Sequence, residues 1–271
     1  GAANPWGVAV SPDGAKLWAT LAGTSELAVV DLKGLQALVA GDEAIRTNLR
    51  SDVQTMTSQG LLARKTLSEV EGTRGIALSP DGATLAVAAY FEGKVLLVDV
   101  ASEQTQAVVL ANNLDEDQVR AGERYYNSGL SCNQQWLSCA SCHEGGRTDG
   151  LNWDLLEDGQ GNPKNTLSNV LSAVTPPANI TGSRENAQAA VRSSYSSIEF
   201  RPATEDVVAA THAYIQSLAP EPSPYLGSDG QLTPDAVEGK KIFETDETGC
   251  SRCHKPPLFT DQKRYDVGTR L

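Results

Sequence analysis

Two short stretches hold most of the residues able to do chemistry. Cys139-Ala-Ser-Cys142-His143 and Cys250-Ser-Arg-Cys253-His254 both spell Cys-x-x-Cys-His, taking four of the five cysteines and two of the three histidines. Cysteines three apart on a helical turn can form thioethers with the two vinyl groups of one porphyrin, and the histidine that follows can ligate its iron. On this reading Cys139, Cys142, Cys250 and Cys253 attach two c-type haems, and His143 and His254 are the iron ligands. Two CxxC pairs could instead give one zinc four thiolates, but each following histidine would then have no role. A thioredoxin-like redox pair needs one CxxC in a βαβ setting, which is lacking, and plain disulfides require an oxidising compartment. Cys132 is left over, and is expected to pair elsewhere or to be buried as a small apolar residue.

Such motifs need helices to present them. LDEDQVRAGERYYNSG, ahead of the first, has acidic residues in its first turn, Val119, Tyr125 and Tyr126 at helical spacing, and a stop at Gly129. RPATEDVVAATHAYIQSLAPEP predicts a closing helix with Thr204 as N-cap, Glu205 and Asp206 in the first turn, and prolines beyond. The pattern restarts at LTPDAVEGKKIFETDETGCSRCH, where Thr233 caps a helix begun by Pro234.

The N-terminal part is built differently. GVAVSPDGAKLWATLAGTSELAVVDL recurs as GIALSPDGATLAVAAYFEGKVLLVDV, with about ten of the 26 aligned positions identical. Alternating apolar residues predict three strands per copy, and Pro12, Asp13 and Gly14 predict the turn. The copies begin 68 residues apart, so an insertion is expected near 33–65. The repeat resembles YVTN-type β-propeller blades over about residues 1–110, a duplicated β-meander being the plainer alternative. Two blades cannot close a ring. The chain therefore reads as a fragment, cut within a propeller at one end and within a second module at the other.

Residues 111–271, with GCSRCHKPPLFTD before DVGT, resemble the dihaem cytochrome c peroxidase and MauG-type family. GRTDGLNWDLLEDGQGNPKNT followed by TPPANITG is similar to the subgroup fused to YVTN-type propellers. The expected architecture is a multidomain chain: partial all-β propeller blades at 1–110, a mainly α first cytochrome c module at 111–225, and the start of a truncated second module at 226–271. The resemblance implies two covalently bound haem c groups, a peroxide-reactive first haem and an electron-relaying second, in a protein exported to the bacterial periplasm. It also implies a small electron-donor protein or a protein substrate, and it allows a calcium ion for which no ligand set is legible.

The sixth position of the first iron decides between enzyme and carrier. His212 is the candidate distal ligand, although its place between Val208 and Ile215 on one helix face also suits packing. Met56 lies in the insertion, and the Pro-rich loop offers Asn179 and no methionine. An open iron predicts a haem peroxidase, with the acid/base residue unidentified among Glu185, Glu199 and Glu205. A closed one predicts an electron-transfer cytochrome with a propeller docking module, and a third reading makes the propeller a binding platform. Trp153 is a candidate bridge between haems, with packing as its alternative. The net charge of −12 argues against nucleic acid, and apolar runs such as VLLVDV are too short to span a bilayer.

Overall fold

The computed structural model describes residues 2–41, 43–52, 54–67, 70–111, 117–156 and 159–266. They form two compact units, Gly1–Cys142 with Glu199–Arg201, and His143–Ile198 with Pro202–Leu271.

In the first unit the repeated sequence makes two antiparallel four-stranded meanders. One runs β1 (Pro5–Val10), β2 (Lys16–Leu21), β3 (Glu26–Asp31) and β4 (Leu62–Thr66). The other runs β5 (Thr73–Leu78), β6 (Thr84–Ala89), β7 (Lys94–Asp99) and β8 (Thr105–Val109). The expected insertion is α1 (Leu32–Gly41), α2 (Glu43–Ser51) and α3 (Thr55–Ser58), after which β4 returns to pair with β3, Glu26 facing Thr66. In the second copy β8 follows β7 directly, so the insertion in the first copy accounts for the 68-residue interval.

Both Ser-Pro-Asp-Gly turns close in one way. Ser11 Oγ donates to Asp13 Oδ1 (2.6 Å), which also accepts from the Ala15 amide (3.0 Å). Ser79, Asp81 and Ala83 repeat this at 2.6 and 3.0 Å. Gly14 and Gly82 take the left-handed φ the turn requires, 66° and 72°. The serine bond, then the backbone amide, hold both carboxyls below the usual carboxylate range. A carboxyl with a depressed folded-state pKa stabilises the fold above its unfolded value and loses that contribution as pH falls through the folded one. Replacing Asp13 and Asp81 together by Asn is therefore expected to lower the thermal midpoint at pH 7, and by less as the pH falls below the ordinary carboxylate range, as followed by circular dichroism.

The sheets share an apolar core. Trp18 and Leu27 of the first pack with Leu85, Val87, Leu96 and Val98 of the second, closed by Leu67 and Val70 of the connection. Beside it, Thr20 Oγ1 accepts from the Gly7 amide (2.9 Å) and donates to the Arg74 carbonyl (2.6 Å), bridging irregularities in β1 and β5. A Cβ on Gly7 would lie 2.8 Å from that carbonyl, so the strands approach this closely only at glycine.

The same unit holds α4 (Gln118–Asn127), which Asp117 caps by accepting from the Arg120 amide at 2.8 Å, and α5 (Cys139–Cys142). Asp115 and Glu116, expected in the first turn of the helix before the motif, lie outside the described residues, as does most of DVGT.

The second unit comprises the two-stranded β9 (Asn152–Trp153) and β10 (Lys164–Asn165), then α6 (Ala187–Ser197), α7 (Glu205–Ser217) and α8 (Pro234–Glu244). α6 and α7 are joined by the buried Tyr195–Thr211 hydroxyl pair (3.0 Å) and by Arg192, whose guanidinium grips Glu205 at 2.7 and 2.6 Å. Thr204 precedes α7 without a side-chain capping bond, whereas Thr233 caps α8 by accepting from the Ala236 amide at 3.4 Å.

The expectation of propeller blades followed by mainly α cytochrome c modules is corrected by this architecture. The sheets are small and open, with four, four and two strands. α4 and α5 cluster with the two meanders in one mixed α/β unit, because the segment around them is anchored to sheet loops, as where the Gly129 amide donates to the Gly23 carbonyl (2.7 Å).

Candidate functional site

In the first unit α5 presents Cys139 and Cys142 within a single helical turn, set by a polar network around Asn4. Asn4 Nδ2 donates to the Asn127 carbonyl (2.8 Å) and to Ser138 Oγ (2.7 Å). Ser141 Oγ donates to Asn4 Oδ1 (2.9 Å) and accepts from the Ser138 amide (2.9 Å). Asn4 thus ties the N-terminus to α4 and to both ends of the cysteine turn.

Beneath this turn lies Glu199, only 2 % exposed. Its carboxylate accepts from Ser131 Oγ (3.1 Å) and from Cys139 Sγ (3.5 Å), and its carbonyl accepts from the Asn133 amide (2.9 Å). Burial pushes the Glu199 carboxyl up to about 7. Burial, and then the Glu199 charge, push the Cys139 thiol well above its ordinary value, so this thiol keeps its proton. Cys132 is buried in the same cluster, its Sγ 3.5 Å from the carbonyls of Asn133 and Glu199. None of the five cysteines is in a disulfide.

In the second unit His143 is half-buried, and its Nδ1 donates to the Leu167 carbonyl (2.8 Å). Burial lowers its pKa, and donation from Nδ1 fixes the tautomer whose lone pair is on Nε2. The second motif repeats this local arrangement: Cys250 and Cys253 flank a 3₁₀ turn, and His254 Nδ1 lies 2.9 Å from the Phe259 carbonyl. Phe243 of α8 is tilted against the His254 ring, with centroids 6.5 Å apart.

The other candidates stand apart. His212 is half-buried on α7, and burial lowers its pKa. Glu205 is exposed and held by Arg192, and Glu185 is exposed. Trp153 donates from its indole to Asp149 (2.8 Å), Met56 lies in the short α3, and Asn179 Nδ2 reaches Ser183 Oγ (3.2 Å). Of the three glutamates the sequence offered, only Glu199 is buried. Its partners lie 60 and 68 residues earlier, so nothing local to SSIEFRP marked it.

No family model matches the chain. Over 172 residues, 56 % of the chain and 48 % of the relative, it is 34 % identical to hydrazine synthase subunit gamma of Kuenenia stuttgartiensis. Among solved structures it matches a chain of Kuenenia stuttgartiensis hydrazine synthase pressurized with 20 bar xenon, with TM-score 0.52 and 31 % identity, covering 58 % of this chain and 56 % of that one. The chain spans about half the length of the relatives it matches. These findings correct the expected kinship with dihaem cytochrome c peroxidase and MauG-type proteins, and with it the peroxidase activity and the electron-transfer alternative. The two covalently bound haem c groups fall with that kinship. Among the described residues no group of three or more His, Cys, Asp or Glu side chains could hold a metal ion, and the Cys139 thiol is engaged by Glu199. Nor is any described helix long and apolar enough to cross a membrane. What the chain is similar to, over about half of its length, is the gamma subunit of hydrazine synthase.

Proposed function

We propose that this chain belongs to a gamma-type subunit of a multi-subunit enzyme complex of the hydrazine synthase kind. The observation that carries the reading is the 34 % identity to a protein described as subunit gamma. Exposed apolar side chains support it: Trp6, Val8 and Val10 on β1, and Val108 and Val109 on β8 with Leu110 just after it. Apolar side chains exposed on the end strands of two sheets are what a subunit can cover on assembly. Within such a subunit Cys139 and Cys142 in the first unit, and His143, Cys250, Cys253 and His254 in the second, are the candidate binding residues.

The test is to assay hydrazine formation by a particle purified from source cells through a tag on the full-length protein. Tagged particles are expected to form hydrazine, and immunodepletion of the protein is expected to remove the activity from the lysate. Activity that stays entirely in the depleted lysate would sink the proposal.

A further inference from the structure

A second candidate site lies in the first unit, outside the Cys-x-x-Cys-His turns. A cleft of about 470 Å³ opens between residues 130–135 on one side and Phe200 and Arg201 on the other. Its volume falls in the range of small-molecule sites. Three of the ten non-glycine residues with positive φ among those described line it: Gln134 (57°), Gln135 (54°) and Phe200 (54°). Left-handed backbone is costly for any of these and most so for an aromatic residue, and such strain persists only where the surroundings impose it.

Here the surroundings are plain. The Glu199 carbonyl is fixed by the Asn133 amide and its side chain by Ser131 and Cys139, so the next two residues are held at the rim. The Cys132 carbonyl accepts from the Gln135 amide (3.0 Å), holding the opposite wall in its 3₁₀ turn. The result is a cleft with one cation, Arg201, which has no ion pair or hydrogen bond among the described residues. Primary amides at Asn133, Gln134 and Gln135, the half-exposed Phe200 ring and Leu130 complete it.

We propose that this cleft binds an aromatic carboxylate, Arg201 pairing with both carboxylate oxygens and Phe200 and Leu130 covering the ring. A guanidinium fork matches a carboxylate in two parallel hydrogen bonds, and the amides can orient a planar group without adding charge. A phosphate dianion fits less well, because the cleft supplies a single cation in a chain of net charge −12.

The experiment is a titration of the full-length protein with benzoate, and with its neutral counterpart benzamide, followed by NMR chemical shifts. Benzoate is expected to saturate shifts around 130–135 and 200–201. Benzamide and the Arg201→Gln variant are each expected to weaken binding by about tenfold or more, the loss typical of a charged hydrogen bond. Arg201 is exposed, so the variant should keep the thermal midpoint of the parent, and Arg201→Lys should bind with intermediate affinity because it keeps the charge and loses the fork. Absence of saturable benzoate binding, equal binding of benzamide, or benzoate binding undiminished in Arg201→Gln would each overturn the proposal.

Discussion

Replacing Glu199 by Gln is expected to stabilise the chain at pH 8 and to flatten its stability between pH 4.5 and 7. The folded-state carboxyl titrates at about 7 against an ordinary 4.5, chiefly because it is buried. Its folded-state pKa is raised, so the fold binds the extra proton. The stabilisation is complete below 4.5 and is lost as pH rises through about 7. At about 1.4 kcal/mol per pH unit, the stability forfeited across that window is roughly 3 kcal/mol, a large part of what a domain has. The neutral amide of Glu199→Gln would keep one acceptor oxygen, for Cys139, and turn its NH2 to the Ser131 hydroxyl, which can accept, without a charge. Urea unfolding at pH 5 and pH 8 measures this directly: the parent should lose stability between them and the variant should lose far less. Parallel losses in the two proteins would mean that Glu199 is not the group responsible.

Trp18→Ala is expected to cost roughly 3–5 kcal/mol, the usual penalty for emptying a large aromatic site in a packed core. Trp18 is 4 % exposed and lies where the first meander meets Leu85, Val87 and Val98 of the second. The cost combines lost apolar burial with a cavity that two hydrogen-bonded sheets cannot easily collapse. Val109→Ala, on the exposed strand β8, serves as the comparison and should change stability by no more than about 0.5 kcal/mol. Equal effects of the two substitutions in denaturant unfolding would show that the sheets do not share one cooperative core.

Both predictions depend on contacts that differ in how far they could be read in advance. The strands and turns of the two meanders were legible because their causes are local. Alternation sets the face, and Ser11 and Asp13, like Ser79 and Asp81, bond within five residues. The long interval between the copies pointed to an insertion, and α1, α2 and α3 intervene before β4 completes the first sheet. Extending two repeats to propeller blades assumed an arrangement beyond the repeats themselves, and the sheets are open.

At the candidate site the Cys-x-x-Cys-His turns were visible as spacing, and the similarity to a hydrazine synthase subunit corrected the peroxidase chemistry inferred from them. Asn4 was not legible as part of the site, and Glu199 stood as one of three candidate glutamates with nothing local to single it out. Asn4 reaches Ser138 and Ser141 across more than 130 residues, and Glu199 sits among residues whose pattern only marks the end of α6. Long-range polar contacts leave no periodicity in a sequence. The cleft beside Glu199 was hidden for the same reason, since its two walls meet only when the fold brings 199–201 back to 130–135.

Membership in a multi-subunit complex is tested most directly by native mass spectrometry of the full-length protein purified under mild conditions from source cells. One particle is expected, which contains this protein in fixed stoichiometry with other subunits and dissociates to release it. A mass equal to that of the protein alone, across the concentrations found in the cell, would contradict it.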